Sequence, residues 1–459
     1  MMGQQKSETE LFNYAVNLEK RVRANHPLRK IKATIDFSFA RQEVAHCYGK
    51  NGNESVAPEV ILKMMFLLFF DDINSERELM EVIGERLDYL WFLDYGLDEK
   101  IPDHSVLSKA RARWGKEVFE SLFVRTVAQC VEAGLVGGSK LHVDGSLIEA
   151  NAAKGSVIKG APQLIAALKR AYGVTESKLE HKGEQPVNER MMSQSDPDAT
   201  LTRQGSGESR PRYKHHRVID DSKGVITAME TTPGAIGENQ KLIDLVAQHE
   251  KNTQCQAQIV VADHQYGTNE NFVACQERGI TTHMGDAASK VRRGHDQSLF
   301  GEGAFSYDAK SNVYWCPAGQ SLKALPLDPI RRRIKYKAPA KVCGACALRA
   351  QCTTSVHGRA VHRHENQLTL DVARAQAHSA AARRDRKRRQ HLMERSFADA
   401  ANNHHFKRSR WRRLWRQQIQ DYLITAIQNI RILLAHQHPR RSAAAALPFL
   451  SVTSEMKPL

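Results

Sequence analysis

The sequence predicts an α/β protein in which helices pack on a mixed sheet and an all-α domain precedes that sheet. Helical spacing of apolar residues runs from about Ser55 to Leu135, short apolar strands follow, and helical spacing returns near the C-terminus. Strands interleaved with helices are typical of sheets that helices cover. A chain of 459 residues can bury a large core, and its length predicts two or three folding units.

The predicted helical N-terminal domain, residues 1–136, has a clear helix start at Ser75. Glu78 follows three residues later, which is the pattern of a capping box. The apolar residues that come next share one helical face: Leu79, Val82 and Ile83. We therefore expect a helix whose buried side packs into the core of this domain.

A second helix of this domain has a basic face. Ser105 is expected to cap it, and Lys109, Arg111 and Arg113 follow within three turns. The face could contact DNA or be an ordinary solvated surface, and the sequence weighs these two interpretations equally.

The sheet is predicted within residues 137–300. Lys140 to Val143 alternates as a strand that ends on Asp144, and the apolar strand Gln258 to Ala262 ends on Asp263. Carboxylates at strand ends lie where sheet enzymes place their catalytic groups. Between these strands we predict a hairpin of Tyr213–Ile219 and Val225–Thr231, then a helix from Leu242.

Four further segments complete the predicted organisation. A long, mobile insertion is expected near residues 151–212, because its middle contains little apolar material although Ala161 to Tyr172 reads as a helix. The remaining segments are a Cys-containing insertion at 301–375, basic C-terminal helices at 376–436 that complete the core, and a flexible tail at 437–459.

The charge balance favours a polyanionic partner. Lys plus Arg number 67 against 51 for Asp plus Glu, which gives a formal charge of +16. Nucleic acid is the leading candidate, because basic side chains displace counterions from phosphates. A membrane is not expected as a partner, since the most apolar run, Val60 to Phe70, contains Lys63 and is too short to span one. No secretory signal is recognised in Met1 to Lys20, so an intracellular protein is expected.

Three separated acids are candidates for metal-dependent chemistry: Asp144, Asp263 and Glu394. Carboxylates are hard oxygen ligands suited to Mg²⁺ or Mn²⁺, and two such ions can promote an in-line phosphoryl displacement. An aspartate at a strand end is more often a turn residue, so neither aspartate would carry this interpretation by itself. The Arg side chains around Glu394 favour its ionised form and could grip phosphates beside the metal.

Several ordered motifs between Ser75 and Leu434 resemble the DDE transposases of bacterial insertion sequences, in particular those with a helical N-terminal domain and a Cys-containing insertion. The motifs are Pro102-Asp103-His104-Ser105, His142-Val143-Asp144-Gly145-Ser146, Asp196-Pro197-Asp198-Ala199, Ala262-Asp263-His264-Gln265-Tyr266-Gly267, and the block from Arg389 to Leu434 with Glu394, Phe397, His405-Phe406-Lys407 and Asn429.

The resemblance implies a ribonuclease-H-like core in which Asp144, Asp263 and Glu394 bind Mg²⁺ or Mn²⁺. It also implies cleavage of double-stranded DNA at the element's terminal repeats, followed by strand transfer into target DNA. Because two ends are cut in concert, a homodimer is expected, in the bacterial cytoplasm and associated with the nucleoid. Glu365 is a rival to Glu394 for the third position, since the register of the helix is open in the sequence.

Two positions depart from the family's pattern. Ser146 stands where relatives often have Thr, a change that keeps the hydroxyl. Gly237-Glu238 stands where relatives usually have His before an acid, and no role is assigned to that position from the sequence.

Four cysteines cluster in the predicted insertion: Cys316, Cys343, Cys346 and Cys352. One CxxC with two more cysteines could form a four-thiolate structural zinc site, and reduced cysteines in a small insertion are the equal alternative. The other four cysteines are single and are expected to be inert thiols.

The predicted DNA contacts lie in the N-terminal helix and the basic C-terminal block. They are Lys109, Arg111, Arg113, Arg388, Arg389, Lys407, Arg408, Arg410, Arg412 and Arg413. The rings of Trp411 and Trp415 are expected in the core, with the neighbouring arginines facing DNA. The histidines are expected at polar surfaces or phosphate contacts: His142, His215, His216, His264, His404 and His405.

Two other functions remain open on the sequence. One is a decayed, DNA-binding transposase without catalysis, for which the three acids would be dispensable. The other is a nuclease of the same core that hydrolyses DNA but does not join it.

Overall fold

A computed structural model describes residues 16–49, 55–174, 187–287 and 299–437. The first 15 residues, the centre of the predicted mobile insertion and the predicted tail beyond residue 437 lie outside these ranges.

The N-terminal region is helical, as predicted. Its helices are α1 Leu18–Arg21, α2 Pro27–Thr34, α3 Phe39–Val44, α4 Pro58–Phe70, α5 Glu76–Glu85, α6 Leu87–Leu93, α7 Ser105–Trp114 and α8 Glu117–Glu132. Helix α4 is the apolar run of the sequence, and it is buried along most of its length. It therefore serves as the core helix that the sequence predicted.

The capping box is confirmed, whereas the predicted cap at Ser105 is wrong. Ser75 Oγ accepts a hydrogen bond from the Glu78 amide at 3.1 Å, and the Glu78 carboxylate accepts one from the Asn74 amide. Helix α7 instead begins at Ser105, whose amide donates to Asp103 Oδ1 at 2.8 Å. The aspartate of the Pro-Asp-His-Ser motif thus satisfies the free amide at this helix start.

In the sequence, the strands of the main sheet lie between the N-terminal helices and the C-terminal helices. Its segment contains β1 Lys140–Glu149, β2 Val157–Lys159, α9 Pro162–Ala171, α10 Val187–Arg190, β3 Met191–Ser193, β4 Thr200–Thr202, β5 Arg210–Asp220, β6 Ile226–Pro233, α11 Leu242–Thr253, β7 Ile259–Val261, α12 Asn269–Glu277 and β8 Thr281–Thr282. β5 pairs antiparallel with β1 and β6, while β7 is parallel to β1 and β8 is parallel to β7.

Five strands of the sheet therefore follow the order β6, β5, β1, β7, β8, three antiparallel and then two parallel, and the short β4 pairs with β5 as a sixth strand. This is the order of a ribonuclease-H-like core, and it confirms the predicted mixed sheet. The hairpin, the helix from Leu242 and the strand before Asp263 are all present.

The position of Asp144 differs from its prediction. The strand does not end there but runs on to Glu149, because β5 pairs with it residue by residue from Leu141 to Glu149. Asp144 therefore lies in the middle of a central strand.

Part of the predicted mobile insertion is packed against the sheet. Residues 187–202 form one helix and two strands, and β4 pairs with the start of β5. Asp196 and Asp198 in this segment are buried. Polar composition misled the prediction here, because carboxylates are buried in this segment beside the few apolar side chains, Met192 and Ala199.

The Cys-containing insertion forms a separate antiparallel sheet with a small core of its own. Its elements are β9 Ser306–Asp308, β10 Val313–Trp315, β11 Ser321–Asp328, β12 Arg333–Lys337, α13 Ala340–Gly344, α14 Arg349–Cys352 and β13 Ala360–His364. Its core is built around Phe305, Tyr314, Leu322, Tyr336 and Val361.

The last described residues form three helices: α15 Gln367–His378, α16 Ala380–His404 and α17 Leu414–Gln437. Helix α17 is buried at almost every position from Ile419 to Ile430, as predicted. It shares one hydrophobic core with α4, α8 and the hairpin face of the sheet. The helical N-terminal region and the sheet thus pack around the same C-terminal helix.

Candidate active site

Asp144 and Asp263 lie side by side on the sheet. His142 of β1 is the register partner of Val261 of β7, and each aspartate follows two residues later. Since paired residues of parallel strands project to the same face and alternate every residue, both carboxylates emerge on one face. About a quarter of each side chain is exposed, 25% for Asp144 and 24% for Asp263.

The structure adds a third acid, Glu238, which the sequence analysis had left without a role. It begins a 3-10 turn after the hairpin, and its side chain is 13% exposed. A Cβ built on Gly145 would lie 3.0 Å from the Glu238 carboxyl carbon, so the acid packs directly over the residue after Asp144. We refer to Asp144, Glu238 and Asp263 together as the acid face, although Glu238 approaches from the other side of β1, because Gly145 and Asp144 project to opposite sides of that strand.

The acids of this face act on one another. Burial raises the pKa of the Asp144 carboxyl, with Asp263 adding to the effect, while Arg389 and the Gly145 amide lower it. Burial likewise raises the pKa of Glu238, Lys214 opposes that effect, and Asp263 and Asp144 add to it. Like charges held together in a partly desolvated place are the arrangement that favours binding a cation.

Tyr266 lies beneath this face. Its side chain is fully buried, and its hydroxyl has no hydrogen-bond partner among the residues that the structure describes. Burial raises its pKa well above 10, and the charges of Glu238, Asp144 and Asp263 raise it further.

Two basic side chains reach the same face from the C-terminal helical block. Arg389 Nη1 lies 2.7 Å from Asp144 Oδ2, and only 13% of its side chain is exposed. Lys407 Nζ donates to Ser146 Oγ at 2.6 Å. Both residues were predicted to contact DNA, and the structure places them beside the acids.

Glu394, the third acid of the prediction, lies elsewhere on α16. It is exposed, and its Oε1 accepts a hydrogen bond from Gln390 Nε2 at 2.9 Å. The rival Glu365 lies in the insertion, where it pairs with Arg332. Of the two, only Glu394 shares a helix with Arg389, which contacts Asp144.

Within the described part of the chain, no three His, Cys, Asp or Glu side chains converge closely enough to hold a metal ion as they stand. The donor set of the acid face nevertheless fits Mg²⁺ or Mn²⁺, because it offers carboxylate oxygens. The orphaned hydroxyl of Tyr266 supports this fit, since a buried polar group normally has a partner.

The four clustered cysteines of the insertion line one cavity. All eight cysteines of the chain are free thiols. Burial raises the pKa of Cys352, and Cys316, Cys343 and Cys346 add to that effect. Gln320 donates its backbone N–H to Cys316 Sγ at 3.3 Å, the kind of contact that stabilises a thiolate.

The predicted DNA contacts divide into two groups. Lys109, Arg113, Arg388, Lys407, Arg408 and Arg412 are exposed, although Arg388 also pairs with Asp221. The others have an acidic partner within the protein: Arg111 with Glu76, Arg389 with Asp144, Arg410 with Asp72 and Arg413 with Asp198. The pattern of basic residues alone does not distinguish these groups.

Four of the six histidines are buried, so their predicted place at polar surfaces is wrong. His142, His215, His216 and His404 are fully buried. His215 Nδ1 lies 3.1 Å from Asp421, and His404 Nδ1 lies 2.6 Å from the Phe69 carbonyl oxygen. Trp411 and Trp415, in contrast, pack against the core as predicted.

Two family profiles match the chain. The first, described as Transposase domain (DUF772), matches residues 16–113, and the second, described as Transposase DDE domain, matches residues 315–434. No curated protein sequence matches the chain.

Among solved structures, the piggyBac transposase synaptic complex with hairpin DNA is 10% identical, with 89% of this chain and 72% of that chain covered and a TM-score of 0.35. The Mos1 transposase paired-end complex with left transposon end is 12% identical, with 53% and 64% covered and a TM-score of 0.16. The strand order of the sheet carries the fold assignment here. Among the described helices, none has the length and apolar character to cross a bilayer.

Proposed function

We propose that this chain, a transposase with a DDE domain, cleaves DNA at the ends of a mobile element and joins those ends to target DNA. The observation that carries the proposal is the pair Asp144 and Asp263, two carboxylates on one face of adjacent parallel strands in a ribonuclease-H-like sheet. The two family matches support the transposase assignment.

The residues of the acid face would hold divalent cations, Mg²⁺ or Mn²⁺, with Asp144 and Asp263 as ligands. When bound, such ions activate the attacking oxygen and stabilise the leaving one. Glu394 is proposed as a further ligand from the family's pattern, since its helix also carries Arg389.

The basic side chains at this face have separate tasks in the proposed reaction. Arg389, which contacts Asp144 in the absence of DNA, can turn its guanidinium to a phosphate oxygen next to the scissile bond. Partial burial, together with Arg217, lowers the pKa of Lys407, and its exposed side chain would gain from contact with a phosphate. Hydrolysis frees a 3′-hydroxyl, and the same in-line geometry then serves its attack on a target phosphodiester.

The exposed basic residues are proposed to bind the DNA. Lys109 and Arg113 of α7 would contact the element end, and Arg388, Arg408 and Arg412 would contact backbone phosphates less specifically. Two ends are cut together, so we propose a homodimer as the working form. The four clustered cysteines are proposed to hold a structural zinc ion in the insertion.

The experiment is cleavage of a DNA fragment that bears the source element's ends, in Mg²⁺, by the intact protein, Asp144→Ala and Asp263→Ala. We expect all three proteins to bind the fragment and only the intact one to cut it. A pre-cut end added to target DNA then tests joining, and cutting without joining would make the protein a nuclease. Binding without cutting by the intact protein would contradict the enzyme assignment and leave a DNA-binding protein.

A further inference from the structure

The outer face of the insertion sheet carries a row of basic side chains. Arg333, Lys335 and Lys337 alternate along β12 out of phase with the buried Tyr336, so they project away from the small core. On the neighbouring strand, Lys323 is the register partner of Lys337, and paired residues share a face. We call Lys323, Arg333, Lys335 and Lys337 the basic row. Like charges directly opposite each other destabilise a sheet, so this row needs a reason.

The protein compensates the charge of the basic row very little. Within the described ranges, none of its four side chains forms an ion pair or a side-chain hydrogen bond. Burial lowers the pKa of His362, which is the register partner of Lys335 on β13. Arg333 and Lys335 lower that pKa further, and Glu302 opposes them only in part. An anionic partner would therefore gain free energy on contact with this row.

The turn of the β11–β12 hairpin is a second, independent observation. Asp328 Oδ1 accepts hydrogen bonds from the backbone amides of Ile330 and Arg331, both at 3.1 Å, which fixes the turn. The Ile330 side chain is 92% exposed, and Leu325 and Leu327 before the turn are also exposed. Proteins that bind the grooves of DNA insert apolar side chains of this kind next to basic contacts.

The two observations together favour duplex DNA as the partner. A solvated surface would account for the lysines but not for an ordered turn that presents large apolar side chains to water. A two-stranded ribbon fits a groove of B-form DNA. Lysines bind phosphates as point charges, and phosphate contacts carry no sequence information. The hairpin therefore suits DNA of any sequence, which is the character of a target rather than of an element end.

We infer that the β11–β12 hairpin binds target DNA, with the basic row on backbone phosphates and Ile330 in a groove of the duplex. The inference rests on the proposed function, which it deepens by naming the surface that holds the DNA into which the element is joined. The insertion would then contribute binding, while the main sheet carries out the chemistry.

The test is fluorescence anisotropy of a labelled duplex without element ends, titrated with the full chain at several salt concentrations. One variant combines Lys323→Gln with Lys335→Gln. The matched control combines Lys251→Gln with Lys310→Gln, which removes two exposed charges elsewhere, on α11 and in the β9–β10 turn. Ile330→Ser examines the turn separately. Thermal unfolding of each variant checks its fold.

We expect the Lys323 and Lys335 double variant to reduce the slope of log affinity against log salt by about two, one for each lost phosphate contact. The control should keep the slope of the intact protein. Ile330→Ser should lower the affinity by about tenfold and keep the slope, because an apolar contact is lost and no charge is removed.

The joining of a pre-cut end separates target DNA from element DNA. The Lys323 and Lys335 double variant should lose joining into target DNA more than cutting of element ends, and equal losses would contradict the target assignment. An unchanged salt slope in this variant, or the same reduction in the control, would overturn the inference. If the intact protein cuts and joins while the slope is unchanged, only this inference fails. If the slope falls as expected but the intact protein never cuts, the proposed function fails and the binding surface stands.

Discussion

Two clusters of carboxylates lie at this sheet, one buried and one partly exposed, and they differ in their hydrogen-bond partners. Asp196 Oδ1 accepts hydrogen bonds from the Tyr213 hydroxyl at 2.7 Å and from the Arg413 amide at 2.9 Å. Asp198 Oδ2 accepts from Arg413 Nε and from the Leu414 amide. Leu414 begins α17, so these two acids cap the N-terminus of the central helix.

The acid face has the opposite character. Asp263 raises the pKa values of Asp144 and Glu238, Arg389 and Lys214 lower them, and the buried Tyr266 hydroxyl has no partner among the described residues. In the Asp196–Asp198 cluster, one oxygen of each acid accepts hydrogen bonds from the protein, while Asp196 Oδ2 and Asp198 Oδ1 are buried without a partner among the described residues. Burial of acids therefore does not identify a functional site by itself, and the nature of their partners does.

The largest expected effect is the loss of cleavage on changing an acid of the acid face. Asp144→Asn should lower the rate of DNA cleavage by on the order of a thousandfold, as removal of one preorganised charged group does. Asp196→Asn, the same change in the capping cluster, should stay within about threefold of the intact protein below its unfolding temperature. Equal losses in both variants would erase the distinction between the clusters.

The four clustered thiols of the insertion form a third cluster, whose sulfur ligands suit zinc rather than Mg²⁺ or Mn²⁺. Cys343→Ser should reduce bound zinc from about one ion per chain to none and lower the unfolding temperature, because the small insertion core would lose its cross-link. Cys47→Ser, outside the cluster, is the control. Metal analysis of the purified proteins measures the first effect, and an intact protein without zinc would show the thiols to be reduced core residues.

The Asp196–Asp198 cluster, which caps α17, should make the free energy of unfolding depend on pH. Burial raises the pKa of Asp196 to about 6 from 3.8. The folded protein holds the Asp196 proton more tightly than the unfolded chain does. The stabilisation that results is therefore fully present below pH 4 and is lost as pH rises through 6. Relative to Asp196→Asn, the intact protein should therefore lose about 3 kcal/mol of unfolding free energy between these values. Urea unfolding of both proteins at pH 4, 5 and 7 measures the difference, and a constant difference across that range would contradict it.

The smallest expected effect concerns DNA binding by α7. Lys109→Ala should reduce the slope of log affinity against log salt by about one, because one phosphate contact is lost. Arg111, two residues later, is 3% exposed and lies over the Trp411 ring, so Arg111→Ala should lower stability rather than the salt slope. Identical slopes for the intact protein and Lys109→Ala would remove α7 from the proposed interface.

Much of the fold could be predicted from the sequence, because apolar periodicity records which face of an element is buried. The hairpin, the strand before Asp263 and the buried helix α17 follow from it. The extent of β1 beyond Asp144 could not be predicted, since it depends on pairing with a strand more than 60 residues away. Packing of residues 187–202 was missed for a related reason, as buried acids there bond to the distant Arg413.

The candidate site was predicted in part. Asp144 and Asp263 could be selected from motifs, and their shared face follows from the strand register. Glu238 could not, because its proximity to Asp144 arises from the hairpin folding back over Gly145. The one available signal was an acid at the start of the helix after the hairpin, in a context that departs from the family's pattern.

The most direct test of the account is localised chain cleavage by iron. Fe²⁺ in place of Mg²⁺, with ascorbate and peroxide, generates radicals that cut the protein backbone next to a bound ion, and mass spectrometry locates the cuts. The account predicts cuts near Asp144, Glu238 and Asp263, suppressed by excess Mg²⁺, and no cuts near Asp196 or Asp198. Cuts around the capping cluster, or none at the acid face, would contradict the claim that the acid face is the metal-binding site.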